Sequence, residues 1–126
     1  MKSFQRYIFI LSFMLAGNTM ADTVSYTQTA FDKLLHESKP TLVHVHADWC
    51  PTCRAQDPII ESLLKQKDFR DVTSLRVDFD SQGEVVRSFH VSRQSTLIVF
   101  KGGKEVGRSL GDTSREGIER LLRKAI

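Results

Sequence analysis

Cys50 and Cys53 are the only cysteines of the 126-residue chain, and they stand three positions apart in "HADWCPTCRAQDP", His46 to Pro58. Two thiols at that spacing make a staple, a metal clip or a redox pair. As a staple the bridge closes too short a loop: the chain-entropy gain is roughly 2 kcal/mol for four residues, against about 3 for fifteen. It would also restrain residues that a helix start holds anyway. As a metal clip, two thiolates joined by His44, His46 or His90 form a soft set suited to Cu(I) or Zn²⁺. The histidines, however, lack metal-type spacing from the cysteines. Position favours redox chemistry. Cys50 follows an apolar strand-like run and falls where a helix N-cap belongs, and Pro51 takes the first helical turn, which suits proline. The free amides and positive dipole end of that helix stabilise a thiolate at Cys50, and the thiolate is the attacking species. Cys53, one turn further in, is expected to stay protonated and to resolve a mixed disulfide through a Cys50–Cys53 bond.

The elements that must position this pair follow from periodicity. "TVSY" (Thr23 to Tyr26) is β-prone, and Thr29 to Ser38 carries Phe31, Leu34 and Leu35 at helical spacing, closed by Pro40. "TLVHVHA" (Thr41 to Ala47) reads as a strand leading into the cysteines. Ile59, Ile60, Leu63 and Leu64 mark a helix from Pro51 to about Lys67, with a kink expected at Pro58. Val72 to Asp80 is a further strand, Glu84 to His90 a short helix. Thr96 to Lys101 and Glu105 to Leu110 form a hairpin across Gly102-Gly103. "TSRE" (Thr113 to Glu116) is a capping box opening a last helix with Ile118, Leu121 and Leu122 on one face. The order β-α-β-α-β-α-β-β-α predicts an α/β fold with a central mixed sheet flanked by helices.

"ADWCPTC", the strand before it, Pro58 and the "STLIVFKGGKEVGR" hairpin resemble the thioredoxin family over nearly the whole chain from Thr29 to Ile126. The resemblance implies a thioredoxin-like fold, with Cys50 the exposed nucleophile and Cys53 the resolving thiol. It implies no cofactor. Trp49 is expected to cover the pair and, with Pro51, Thr52, Ser95 and Gly111, to shape a substrate groove. Three positions depart from the family pattern. Ser95, in "RQSTLIVF", stands where relatives carry a cis-proline. Because a cis bond before a non-proline residue costs about 3–4 kcal/mol, a trans Gln94–Ser95 bond is expected, with the Ser95 hydroxyl or amide brought toward the sulfurs. His44 stands where relatives have a buried aspartate that assists the resolving thiol, and it is a candidate proton acceptor. The lysine that pairs with that aspartate is expected to be replaced by Ser74.

The rest of the chain bounds the setting. Lys2 and Arg6, the apolar "YIFILSFMLAG" and "TMA" before Asp22 have the architecture of a secretory signal peptide, residues 1–21, cleaved near Ala21. The apolar run is well short of the ~20 residues that span a bilayer. Residues 22–126 then form one thioredoxin-like domain, periplasmic or secreted. The formal charge of +3 belongs largely to the leader. Beyond Ala21 there are 16 basic against 15 acidic residues, so the balance is no argument for nucleic acid. The expected function is a monomeric thiol–disulfide oxidoreductase acting on protein thiols and disulfides, a reductase or isomerase rather than an oxidant. Strong oxidants of the family usually have a histidine beside the second cysteine and often a helical insertion; here Thr52 precedes Cys53 and the chain is compact. A reductase in an oxidising compartment implies a membrane electron donor of the thiol-transporter type. The alternative is a Cu(I)- or Zn-binding thioredoxin-like metallochaperone using the Cys50 and Cys53 thiolates and a nearby histidine.

Overall fold

The computed structural model describes residues 23–126, so the expected leader lies outside the described residues. Among the described residues five strands form one sheet: β1 (Thr23–Ser25), β2 (Thr41–His46), β3 (Thr73–Asp78), β4 (Thr96–Lys101) and β5 (Lys104–Leu110). Four helices accompany them: α1 (Gln28–His36), α2 (Pro51–Leu64), α3 (Gly83–Ser88) and α4 (Arg115–Arg123), with a 3₁₀ turn at Lys67–Phe69. The strand order is β1-β3-β2-β4-β5. β3 runs parallel to both β1 and β2, whereas β4 is antiparallel to β2 and β5. This is the mixed sheet flanked by helices that the element order implied.

Alternation along the strands divides the core into two layers. Leu42, Leu97 and Val99 pack with Ile60 and Leu63 of α2, Phe69, and Ile118, Leu121 and Leu122 of α4. On the other face Val43, Val45, Leu75, Val77, Ile98 and Phe100 pack with Phe31 of α1 and Val86 of α3. β2 is the central strand, buried at every position. Its odd residues face α1 and α3. Its even residues, His44 and His46 among them, face α2, to which both rings are hydrogen-bonded.

Local chemistry explains the boundaries. Thr27 caps α1 by accepting the Ala30 N–H at 3.1 Å. The hairpin turn has Gly102 at φ 58° and Gly103 at φ 78°, the pair of positive angles that a two-residue I′ turn demands. α2 runs on through Pro58 to Leu64. The last helix starts one residue later than the expected capping box. Ser114, not Thr113, is the N-cap and accepts the Gly117 N–H at 3.1 Å. Asp112 selects this register, since its carboxylate accepts both the Ser114 N–H at 2.8 Å and the Ser114 hydroxyl at 2.7 Å. Among the described residues no helix is long and apolar enough to cross a membrane.

Candidate active site

The cysteines sit at the end of β2, where the chain turns into α2. Cys50 is the N-cap of α2, Pro51 its first residue, and the Cys50 Sγ accepts the Cys53 N–H at 3.3 Å. A sulfur in this place takes an amide that the helix leaves unpaired. Both cysteines are free thiols here. They pack with Ala47, and Phe79 at the end of β3 closes that small apolar cluster.

The expectation of an exposed nucleophile needs correction, because Cys50 is only 3% exposed, close to the 0% of Cys53. Ser95 stands against the pair, its hydroxyl oxygen 3.2 Å from each sulfur. Ser95 is itself buried, with φ 68°. Its N–H donates to the Val45 carbonyl at 2.8 Å, and its carbonyl accepts from the Gly111 N–H at 3.0 Å and from Gln56 Nε2 at 3.2 Å. The Gln94–Ser95 bond is trans, as are all peptide bonds among the described residues. Gly111, at φ 72°, thus meets the site through its backbone. Trp49 is 58% exposed, and its indole N–H donates to Asp80 at 2.7 Å. Pro51 is exposed and Thr52 half-buried on the first turn of α2.

Electrostatics separate the two thiols. Burial pushes the Cys50 thiol up. The neighbouring Cys53 side chain, the Ser95 hydroxyl and the amides of Cys53 and Thr52 outweigh that and hold it below the ordinary thiol range. Burial pushes the Cys53 thiol up, and its neighbour Cys50 pushes it further. The arrangement therefore favours one thiolate, on Cys50, beside one thiol, on Cys53.

Behind the sulfurs lies a polar layer between β2 and α2. His44 Nε2 is 3.0 Å from Gln56 Oε1, and the Gln56 amide nitrogen donates to the carbonyls of Ser95 and Asp112. Burial, with help from His46 and Arg76, pushes the His44 ring down to about 4, against the opposing pull of Asp57. His44 is not hydrogen-bonded to either sulfur; Gln56 stands as its partner. His46 is held by Asp57 Oδ2 at 3.0 Å.

The assignment of Ser74 as the lysine replacement is corrected by register. His44 pairs with Arg76, whereas Ser74 pairs with Leu42. Residues two apart on a strand share a face, so only the pairing register separates Ser74 from Arg76. Arg76 donates to Asp57 Oδ1 at 2.9 Å. An acid–base pair is therefore present, with its carboxylate on α2 rather than on β2. Motif and spacing do not single out Gln56 and Asp57 as site residues. A signal for Gln56 does exist: with Cys53, Ile60, Leu63 and Leu64 it lies on the buried stripe of α2, where a lone polar side chain must have partners. Among the described residues no group of three His, Cys, Asp or Glu side chains is placed to hold a metal ion. His44 and His46 instead bond to Gln56 and Asp57.

Comparison with known proteins agrees with this geometry. The family model described as Thioredoxin matches residues 22–124. The thioredoxin of Chlamydia trachomatis serovar D is 37% identical over 83 residues, 66% of this chain and 79% of that protein. The thioredoxin of Mycobacterium bovis is 33% identical over 101 residues, covering 79% and 86% of the two chains. Among solved structures, Trxlp from Edwardsiella tarda EIB202 superposes with a TM-score of 0.78 at 39% identity, over 80% of this chain and 98% of that one. Schistosoma mansoni thioredoxin does so at 0.72 and 26%, over 86% and 99%. Fold and close cysteine pair are those of a thiol–disulfide oxidoreductase, and this chain belongs to the thioredoxin family.

Proposed function

We propose that the protein works outside the cytoplasm, periplasmic or secreted, exchanging disulfides with protein substrates as a reductase or isomerase rather than as an oxidant. The exchange chemistry rests on the cysteine geometry, with the Cys50 sulfur capping α2 and its thiol held below the ordinary range while that of Cys53 is raised; the direction rests on Thr52 standing before Cys53, and the location on the leader-like residues 1–21. In the reaction the Cys50 thiolate attacks one sulfur of a substrate disulfide. That bond breaks, and the other substrate sulfur leaves with the electron pair. Cys53, once deprotonated, attacks the Cys50 sulfur, and the second substrate sulfur leaves in turn. Two electrons have passed to the substrate, whose two sulfurs take up protons, and the Cys50–Cys53 disulfide remains to be reduced. Outside the cytoplasm that reduction needs a thiol-transporting membrane donor.

The test is equilibration of the Cys50–Cys53 pair with glutathione, joined to trapping of substrates by Cys53→Ala. The expected potential lies between about −270 mV, the thioredoxin value, and about −180 mV, that of an isomerase. Cys53→Ala should accumulate mixed disulfides through Cys50. A potential near −120 mV, the strong-oxidant value, would overturn the direction; trapping through another residue would overturn the mechanism.

A further inference from the structure

Ser95 is held in a conformation that a residue with a Cβ seldom adopts. Its φ of 68° lies in the left-handed region, and three backbone and side-chain hydrogen bonds, to Val45, Gly111 and Gln56, keep it there. Unfavourable backbone that the surroundings enforce in this way gathers at functional sites. The outcome here is a hydroxyl oxygen 3.2 Å from both sulfurs. A hydroxyl has one hydrogen and two lone pairs, so it donates to one sulfur only and accepts from the other. A thiolate only accepts and a thiol donates. The Cys53 S–H has the Val45 carbonyl at 4.0 Å and the closer Ser95 Oγ at 3.2 Å; donation to Ser95 leaves the Ser95 O–H to the Cys50 sulfur.

We infer that Ser95 is a third catalytic residue of the redox centre, whose hydroxyl donates to the Cys50 thiolate while accepting from the Cys53 thiol. The inference rests on the reading of Cys50 as the attacking sulfur. Other ionisable groups near the pair are engaged elsewhere: on β2, His44 with Gln56 and His46 with Asp57; after β3, Asp80 with the Trp49 indole. In the disulfide form both sulfurs have lost their charge and their hydrogen, and they are weak acceptors. The hydroxyl thus stabilises the dithiol state alone and makes the pair more oxidising than it would be without it.

The decisive variant is Ser95→Gly, because glycine tolerates the left-handed backbone while losing the hydroxyl with its methylene; Ser95→Ala, which loses the hydroxyl alone, is its companion. The pH profile of iodoacetamide alkylation, with the modified cysteine identified by peptide mass, is measured beside the glutathione equilibrium. In both variants the Cys50 profile should move up by about one pH unit. The equilibrium should move about tenfold toward the disulfide, a potential about 30 mV lower. A Cys50 profile and equilibrium unchanged in Ser95→Gly would overturn the inference and leave the nucleophile assignment standing. Alkylation of Cys53 ahead of Cys50 in the parent protein would overturn both.

Discussion

His44 shows how a single side chain can be read from its partners. Gln56 directs its amide nitrogen at two carbonyls, so its oxygen faces His44 and must accept; His44 Nε2 therefore carries the hydrogen. The ring is buried and neutral, and at about 4 it is a weak base at neutral pH. Its contribution runs through Gln56, which ties Ser95 to the loop before α4. The pH dependence follows from the lowered value. An unfolded chain binds a proton here below its ordinary 6.5, whereas the folded protein binds it only near 4. Stability is then complete above 6.5 and falls as the pH drops toward 4, by ~3 kcal/mol. Urea midpoints measured at pH 7.5 and 5 should show this fall in the parent protein and a clearly smaller one in His44→Gln. Equal slopes in the two proteins would refute the assignment. The chemistry of Cys50, Pro51 and Cys53 was legible from spacing, because all three lie within one helical turn. That Ser95 meets both sulfurs, 45 residues from Cys50, depended on its left-handed backbone, which composition does not announce.

At the scale of elements, the loop between β5 and α4 joins the site to the last helix. Asp112 offers its carbonyl to Gln56 and its carboxylate to Ser114, which in turn caps Gly117. A Cβ at Gly117 would stand 2.7 Å from both Asp112 Cγ and Ser114 Oγ, so neither partner could keep its place. Alanine is favoured over glycine in a helix by about 1 kcal/mol, yet Gly117→Ala is expected to destabilise by about 1 kcal/mol net, since losing the cap outweighs the propensity. The urea midpoint should fall; a rise would show that the cap tolerates the methyl group. Elements were largely visible beforehand. The stripes on α2 and α4, the glycine turn and the strand before the cysteines were all in the residue pattern. Offsets such as Ser114 for Thr113, or Arg76 for Ser74, were not, since each was settled by a group on another segment or by strand register.

For the whole molecule, β1 begins at Thr23 and contributes an edge strand paired with β3, so cleavage near Ala21 leaves every strand among the described residues intact. Expressed with its own leader in a bacterium, the chain should be recovered from the periplasm or medium with the mass of a protein starting at Asp22. A retained full-length chain in the membrane fraction would overturn the secretory reading. The sequence by itself determined that two thiols stand at the start of a helix behind a buried strand, inside an α/β sheet with helices on both faces. Those features arise from periodicities of two and 3.6 and from turn residues a few positions apart, all written locally. That Ser95 comes toward the sulfurs was expected from its place in the family pattern; the tertiary structure alone decided that its hydroxyl touches both, that Gln56 lies behind it, and that Asp57 with Arg76 replaces an acid on the strand. Such contacts join residues far apart in the chain, and register and enforced backbone conformation, which no local pattern encodes, select which of them meet.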